Sequence, residues 1–293
     1  MLKKVTDNIF LVEDPYRAKP PRCNCLYVAD DLRVLIDSSS GPEIIDAVSP
    51  RGVDLLLTSH FHEDHVLNHN AFPGAEIWVH SLDSPGVRSR QKYIELLAFM
   101  KFDQEELGQE YARLMNIQGC PVAGEFVDGQ IFDTGKTRIE VVHLPGHSAG
   151  HCGFYFPQHD ILYSADIDLS RGGPWYGGAS SDIDIFIESI RRVKDMQPTI
   201  IISSHVGVIR DRIPERLENY VEQIYVKEER LLQALKTPQT LDDLVDKHLF
   251  HQKAPKQLIE LYNFFEKAWI SVHLERLERL SLINREEQMY YCK

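Results

Sequence analysis

The chain contains no long hydrophobic run and no block of basic residues. None of its 293 residues belongs to an apolar stretch of about 18, the length that marks a membrane-spanning helix, so we expect no membrane span. The N-terminal residues also lack the apolar core of a secretory signal. Acidic residues outnumber basic ones by 44 to 32, and the net charge is −12. This charge argues against nucleic acid as a partner, because phosphate binding depends on lysine and arginine.

Cysteine is also scarce. The chain has five cysteines, an odd number, and Cys23-x-Cys25 is too tightly spaced for a usual zinc knuckle. We therefore expect free thiols and a reducing, cytoplasmic location, with a redox role for this pair as the alternative. Apolar residues make up 43% and charged residues 26% of the chain, which is typical of a globular protein large enough for one large and one small domain.

One short segment concentrates the side chains that bind metals. The run His60-Phe61-His62-Glu63-Asp64-His65 places three imidazoles and two carboxylates in six residues. An apolar run at 53–59 precedes it and predicts a buried strand. Alternate side chains of an extended chain share a face, so His60 and His62 can point at one ion. A following turn would bring Asp64 and His65 to a second point, and the segment therefore predicts a metal site at a strand end.

Three further candidate ligands follow apolar runs later in the chain. His147 comes after the run at 139–144, Asp166 after 160–165 and His205 after 199–204. In α/β folds the ends of such strands gather the site residues. Each position alone is compatible with a cap, a turn or a structural hydrogen bond. Their order after the first motif favours one shared metal centre.

This set of motifs resembles the metallo-β-lactamase superfamily of metal-dependent hydrolases, in particular its glyoxalase II and β-lactamase-like protein 2 types. The matching stretches are 58–65, 144–151, 164–166 and 203–205, and the resemblance covers roughly residues 1–210. It implies the α/β class and a four-layer αβ/βα sandwich. Ala165 replaces a common glycine, and Ser203-Ser204 replaces the usual Pro-Gly before the last histidine. His62 differs from the glutamate of the di-iron oxygen-reducing flavoproteins, which argues against that branch.

The resemblance also implies roles for individual residues. The first metal would be held by His60, His62 and His147. The second would be held by Asp64, His65 and His205, with Asp166 bridging both. Asp64 would also act as the catalytic residue that transfers a proton. His151 would not bind a metal itself but would orient the residues that do. Nitrogen and oxygen donors without a thiolate suit zinc first, with iron or manganese as alternatives.

The implied chemistry is hydrolysis by a metal-bridging hydroxide. We expect a small ester, thioester, lactone or amide as substrate. A phosphodiesterase or endoribonuclease is the first alternative, and the acidic composition argues against it. A mononuclear iron sulfur dioxygenase or a metal-sensing regulator is the second alternative, and a full set of seven ligands argues against a single-metal site.

Two segments are candidates for contacting the substrate. The loop at 170–178 contains four glycines and a proline, which exclude regular structure. Because it begins close to Asp166, we predict substrate contacts from Arg171, Trp175 and Tyr176. A helical insertion at about 86–117 is rich in aromatic residues, with Tyr93, Leu97 and Met100 predicted on one stripe. We expect it to cover the metals as a lid, with a plain packed helix pair as the alternative.

The chain is predicted to divide near residue 212 into a catalytic domain, 1–212, and a C-terminal helical region, 213–293. A helix at 214–235 is followed by a capped start at Thr240, helices at 256–266 and 269–280, and strands at 281–284 and 288–291. This pattern predicts a winged-helix-like module from about 239. Residues 239–293 hold eight basic and nine acidic residues, a net charge of −1, without the basic face of a DNA-binding module. Packing or a homodimer is favoured over substrate-pocket shaping and nucleic-acid contact.

Overall fold

The computed structural model describes residues 2–250 and 256–293. Its first sheet has seven strands in chain order, antiparallel from β1 to β4 and parallel from β4 to β7. The strands are β1 Leu2–Lys4, β2 Ile9–Val12, β3 Cys25–Val28, β4 Val34–Ile36, β5 Leu55–Thr58, β6 Glu76–His80 and β7 Gly124–Phe126. Strands β3, β4 and β5 are buried along their whole length, which explains their continuous apolar sequences.

The second sheet has six strands in the order β13-β12-β11-β10-β9-β8. The strands are β8 Ile131–Asp133, β9 Arg138–His143, β10 Cys152–Phe156, β11 Ile161–Ala165, β12 Ile200–Ser203 and β13 Gly207–Ile209. Only the β11–β12 pair in this sheet is parallel. Leu26 and Leu57 of the first sheet share one buried cluster with Phe154 and Ile202 of the second. The two sheets therefore pack face to face.

Helices cover the outer faces of both sheets. They are α1 Glu43–Val48, α2 Glu63–Val66, α3 Ser84–Arg88, α4 Arg90–Leu96, α5 Glu105–Leu114, α6 Ile183–Met196, α7 Ile213–Ala234, α8 Leu241–Val245 and α9 Ile259–Arg279. Helix α6 illustrates how the sequence determines a helix. Asp182 caps its N-terminus by accepting a hydrogen bond from the Ile185 N–H. Its apolar residues Phe186 and Ile190 pack on the second sheet. The predicted αβ/βα sandwich is confirmed.

The helical insertion contains α3, α4 and α5 with a 3₁₀ turn at Met100–Phe102. Tyr93 and Leu97 are buried as predicted, but Met100 is 41% exposed. Helix α4 ends at Leu96, and Ala98 adopts a left-handed conformation with φ of 68°. The predicted stripe therefore stops one turn before Met100.

The C-terminal region differs from its prediction in one respect. The two helices predicted at 256–266 and 269–280 are a single helix, α9, preceded by a 3₁₀ turn at Lys256–Leu258. No glycine or proline interrupts 259–279, so nothing in the backbone forces a break. The capping box at Thr240 and Asp243 forms as predicted.

A small third sheet completes this region. Strands β14 Gln239–Thr240, β15 Ile283–Glu286 and β16 Met289–Cys292 pair antiparallel in the order β14-β16-β15. Leu231 and Leu235, at the end of α7, share a buried cluster with Leu244, Ile270 and other residues of the C-terminal region. Packing of this region therefore begins before residue 239. Among residues 2–250 and 256–293, no helix has both the length and the apolar character needed to cross a bilayer.

Candidate metal centre

The motif residues lie where strand β5 gives way to helix α2. Strand β5 ends at Thr58, and His60 and His62 follow in the short connection to α2, where His62 has an extended backbone. His62 is the N-cap of α2, so the chain turns at that residue. This turn separates the first two histidines from Asp64 and His65, which lie on the helix. All four side chains are buried.

The first cluster consists of His60, His62 and His147. The Nε2 atom of His60 lies 2.9 Å from Nδ1 of His62, and Nε2 of His147 lies 3.1 Å and 2.9 Å from those two atoms. His147 follows strand β9 and its loop, as the sequence predicted. Three ring nitrogens from two distant segments therefore face one point.

The second cluster consists of Asp64, His65, Asp166 and His205, whose ligand atoms lie within 4.8 Å of one another. Oδ1 of Asp166 is 3.1 Å from His65 Nε2 and 3.6 Å from His205 Nε2. Oδ2 of Asp166 is 3.4 Å from Nε2 of His147. The two oxygens of this one carboxylate therefore face different clusters.

The donor set fits metal ions. The Nδ1–H of His147 donates to the Trp175 carbonyl at 2.8 Å, so the Nε2 of a neutral ring turns a lone pair towards His60 and His62. The Nε2 atom of His65, which faces the second cluster, is buried and makes no hydrogen bond among the described residues. Converging lone pairs in a buried site repel one another unless a cation lies between them.

The two clusters have opposite electrostatics. Burial, reinforced by repulsion from neighbouring imidazoles, holds the pKa of His60 and His62 well below the usual value, and burial also lowers the pKa of His147. Burial alone would lower the pKa of His65 and His205 too. Neighbouring carboxylates outweigh burial and raise both pKa values well above normal: Asp37 and Asp166 above all for His65, and Asp166 with Asp64 for His205.

Two further buried residues lie directly behind the proposed ligands. His151 donates from Nδ1 to the Leu144 carbonyl at 2.8 Å and accepts the N–H of Asp166 on Nε2 at 3.1 Å. Burial lowers the pKa of His151 to about 3, which keeps the ring neutral. Its place against the main chain of Asp166 is compatible with the orienting role that the sequence predicted.

Asp37 is the second of these residues, and sequence reasoning missed it. Its carboxylate accepts hydrogen bonds from Nδ1 of His65 at 2.7 Å, from the Ser59 N–H at 2.8 Å and from the Tyr163 hydroxyl at 2.8 Å. Asp37 follows β4, the parallel neighbour of β5. The rule that selected Asp166, a carboxylate directly after an apolar strand, would also have selected Asp37.

Glu63 is a further buried carboxylate that the sequence did not single out. Tyr93 of α4 donates its hydroxyl to Glu63 Oε2 at 2.7 Å, and Tyr111 of α5 donates to Oε1. Burial, followed by the charge of Asp64, raises the pKa of Glu63. The helical insertion is therefore hydrogen-bonded to the motif itself.

The three predicted substrate-contacting residues occupy different surroundings. The half-buried Trp175 ring lies 5.3 Å from the His62 ring and 5.6 Å from the His147 ring, centroid to centroid. Arg171 is exposed and lines a groove with the first turns of α7. Tyr176 is fully buried, and its hydroxyl is within 2.9 Å of Nε2 of His273. Burial of Tyr176 and the contact of its hydroxyl with His273 argue against the predicted substrate contact from this residue.

All five cysteines are free thiols. The sulfur atoms of Cys23 and Cys25 lie 3.7 Å apart in the core, and burial raises the pKa of Cys23 well above normal. Cys23 could form a third donor group with Asp37 and His65. That group shares His65 with the second cluster, so it is not a separate site.

Comparison with known proteins gives the same family. A sequence model described as the metallo-beta-lactamase superfamily matches residues 18–205. A beta-lactamase-like protein 2 homolog of Drosophila melanogaster is 24% identical over 62% of this chain and 54% of its own length. An atrochrysone carboxyl ACP thioesterase of Claviceps purpurea is 29% identical over 38% of this chain and 34% of its own length. The match thus covers about half and about a third of the lengths of these two curated relatives.

A solved structure resembles the whole chain. A metallo-beta-lactamase family protein of Thermus thermophilus superposes with a TM-score of 0.80 over 99% of this chain and 100% of its own, at 21% sequence identity. This likeness shows the shared fold. Because the family model matches most of the chain and contains all seven clustered side chains, the protein belongs to the metallo-beta-lactamase superfamily.

Proposed function

We propose that this protein is a dinuclear metal-dependent hydrolase of a small ester, thioester, lactone or amide. The observation that carries the proposal is the position of Asp166, whose Oδ2 faces His147 of the first cluster and whose Oδ1 faces His65 and His205 of the second. A carboxylate shared by two donor sets is the arrangement that two neighbouring cations require.

The first metal would be held by His60, His62 and His147, and the second by Asp64, His65 and His205, with Asp166 between them. When bound, two divalent cations supply a water of lowered pKa and polarise the oxygen of the scissile bond. Zinc is the first choice because each cluster offers a small number of histidine nitrogen and carboxylate oxygen donors, which zinc commonly binds. Iron and manganese are the alternatives.

The remaining steps belong to the chain's own side chains. The carboxylate of Asp64, with Oδ2 3.3 Å from His205 Nε2, accepts the proton of the attacking water and returns it to the leaving group. Asp37 holds His65, and the Trp175 carbonyl holds His147. Both ligand rings then stay in the tautomer that turns Nε2 towards the cations.

A thioester is the favoured substrate class within this group. One relative is an ACP thioesterase by name, and a thioester needs only water and a polarised carbonyl for cleavage. The water oxygen bonds to the acyl carbon, the carbon–sulfur bond breaks, and the thiol leaves with the proton. A mononuclear iron dioxygenase would leave one of the two clusters without a role, so we do not favour it.

The organisation of the whole chain is also part of the proposal. We infer a catalytic unit at 1–212 and a C-terminal region at 213–293 that contains a winged-helix-like module. A cytoplasmic location and a homodimer stay predictions. Localisation of a tagged chain and sedimentation of the purified protein would test them.

Metal analysis and a substrate panel test the proposal together. We expect two divalent ions per purified chain and metal-dependent hydrolysis of thioesters or lactones, with little turnover of bis-p-nitrophenyl phosphate or short RNA. His60→Ala should lower hydrolysis by on the order of 10²-fold and remove the metal of the first cluster while the protein stays folded. The matched control is His159→Ala, because His159 is exposed on a turn. Full activity of His60→Ala, or hydrolysis confined to the phosphodiesters, would contradict the proposal.

A further inference from the structure

Helix α9 packs its aromatic residues against the helical insertion. The ring of Phe264 stacks on Phe99 with centroids 4.0 Å apart and planes 3° apart, and Phe264 is buried. Successive residues of a helix point about 100° apart, so Phe265 faces a different side. Its ring lies 5.6 Å from Tyr111 and 6.1 Å from Trp175, and it stays half-buried.

Trp175 extends this aromatic surface to the metal centre. Its ring meets Phe265 edge to face on one side and the rings of His62 and His147 on the other, all with centroids between 5.3 and 6.1 Å apart. Trp175 and Phe265 are both half-buried. Two apolar rings therefore remain partly uncovered, and one of them, that of Trp175, lies directly beside two proposed ligands, where a bound substrate would cover both rings.

Helix α9 also fixes the loop that carries Trp175. The hydroxyl of Tyr176 lies 2.9 Å from Nε2 of His273. Nδ1 of His273 lies 3.5 Å from Oε1 of Glu228, which also pairs with Arg276 at 2.5 Å. These groups are buried, so the position of Tyr176 is set by a network of polar contacts within the C-terminal region. The neighbouring Trp175 is held through its carbonyl, which accepts the Nδ1–H of His147 at 2.8 Å.

We propose that helix α9 supplies part of the substrate site: Phe265, together with Trp175, forms an apolar wall that binds the acyl group of the substrate. The proposal rests on the hydrolytic function above and names the substrate as an ester or thioester of an apolar acid. An acyl chain of several carbons, or a ring, would lie across both side chains with its carbonyl towards the first cluster. Phe265 is then a specificity-determining residue supplied from outside the family-matched segment 18–205.

A series of acyl thioesters from acetyl to octanoyl tests whether the apolar wall binds the acyl group. The protein as isolated with its metals is compared with Phe265→Ala, and kcat/KM is measured for each chain length. We expect Phe265→Ala to lower kcat/KM for the octanoyl thioester about tenfold, because the chain loses an apolar contact, and to leave the acetyl thioester within about twofold. Phe265→Leu should restore most of the loss.

The control variant is Leu280→Ala, which also removes an apolar side chain at the end of α9 but at a position 46% exposed to solvent. We expect it to leave every chain length unchanged. Equal losses for acetyl and octanoyl substrates, or no loss for either, would overturn the proposal. Melting temperature and metal content of each variant show whether a uniform loss comes from unfolding instead of from the wall.

A binding measurement separates this inference from the hydrolytic function. Octanoate and acetate are titrated calorimetrically into the metal-loaded protein and into Phe265→Ala. We expect octanoate to bind the unaltered protein at least about tenfold more tightly than acetate, and the variant to lose this preference. Equal affinities of the unaltered protein for octanoate and acetate would contradict the proposal that Phe265 and Trp175 form an apolar wall for the acyl group. An intact octanoate preference without thioester hydrolysis would reject only the hydrolytic proposal.

Discussion

The imidazoles of the first cluster face one another, whereas those of the second cluster face carboxylates. In the first, Nε2 of His147 lies within 3.1 Å of two other ring nitrogens. In the second, His65 and His205 lie within 3.6 Å of Asp166. The same side chain therefore has its pKa lowered in one place and raised in the other. Histidine alone does not decide the electrostatic character of a metal site, because the carboxylates around it do.

This difference predicts that the clusters depend on different supports. Ion pairs with Asp64 and Asp166 compensate the second cluster internally. Within residues 2–250 and 256–293, the first cluster has no carboxylate of its own, and its carboxylate contact is Oδ2 of Asp166, 3.4 Å from Nε2 of His147. Its arrangement relies on the strand end, on the Trp175 carbonyl and on the cation that it is proposed to hold.

Removing the shared carboxylate should have the largest effect, because both clusters lose a donor. We expect Asp166→Asn to lose most bound metal and to lower kcat/KM by on the order of 10³-fold. Metal analysis and hydrolysis assays measure this. Asp195→Asn, at an exposed position, is the matched control. If Asp166→Asn keeps two ions and full activity, Asp166 does not join the clusters.

Removing one imidazole from each cluster should have the next largest effect and tests whether the two sites are separable. We expect His62→Ala and His205→Ala each to keep one ion and to lose activity by on the order of 10²-fold. The cobalt-substituted variants should differ in absorption, because one retains mixed oxygen and nitrogen donors and the other mainly nitrogen donors. The loss of both ions from either variant would show that the clusters bind metal only together.

Asp37 allows a smaller perturbation of the second cluster alone. Asp37→Asn keeps the shape of the side chain but removes the charge that orients His65. We expect one of the two ions to bind about 10–100-fold more weakly, the usual cost of losing such a partner. Competition with a chelator measures both affinities. Equal weakening of both ions would show that Asp37 supports the whole fold of the site and not His65 specifically.

The smallest effect should come from a buried charge outside both clusters. Lys227 packs against the Trp269 ring, with Nζ 4.7 Å from its centroid, and burial lowers its pKa to about 8. The pKa of a lysine in an unfolded chain is about 10.4. Between these values the unfolded chain holds more protons than the folded one, so the Lys227 contribution to stability rises with pH through this window.

Lys227→Met should therefore raise the free energy of unfolding at pH 7 by about 1–2 kcal/mol. The difference in free energy of unfolding between the variant and the unaltered protein should become smaller as the pH rises from about 8 to about 10.4. Urea unfolding at pH 7, 9 and 10.4 measures it. A difference that does not change with pH would mean that Lys227 acts through packing and not through its charge.

Much of the fold and of the candidate site was predictable because the relevant residues follow short buried strands. The period of two in an extended chain places His60 and His62 on one side, and the end of β5 fixes where they begin. Asp37 was missed because a single carboxylate after a strand has the same sequence appearance as a turn residue. Its role depends on β4 lying beside β5, which the sequence pattern does not specify.

The remaining differences from prediction lie in an irregular loop and in a helix that is buried on nearly every side. In the glycine-rich loop no periodicity shows which of Trp175 and Tyr176 turns inward, and only tertiary contact with His273 decides it. In α9, residues on nearly every side are buried between the insertion, α6 and α7. The usual amphipathic pattern is therefore absent, and one long helix was predicted as two.

The hydrogen bond between His147 and the main chain of residue 175 has an evolutionary consequence. Because the acceptor is a backbone oxygen, every amino acid at that position can offer it. The side chain is free to diversify under selection while the ligand ring keeps its orientation. Position 175 is therefore a promising place to start directed evolution towards new substrates, since altered selectivity there need not disturb the catalytic apparatus.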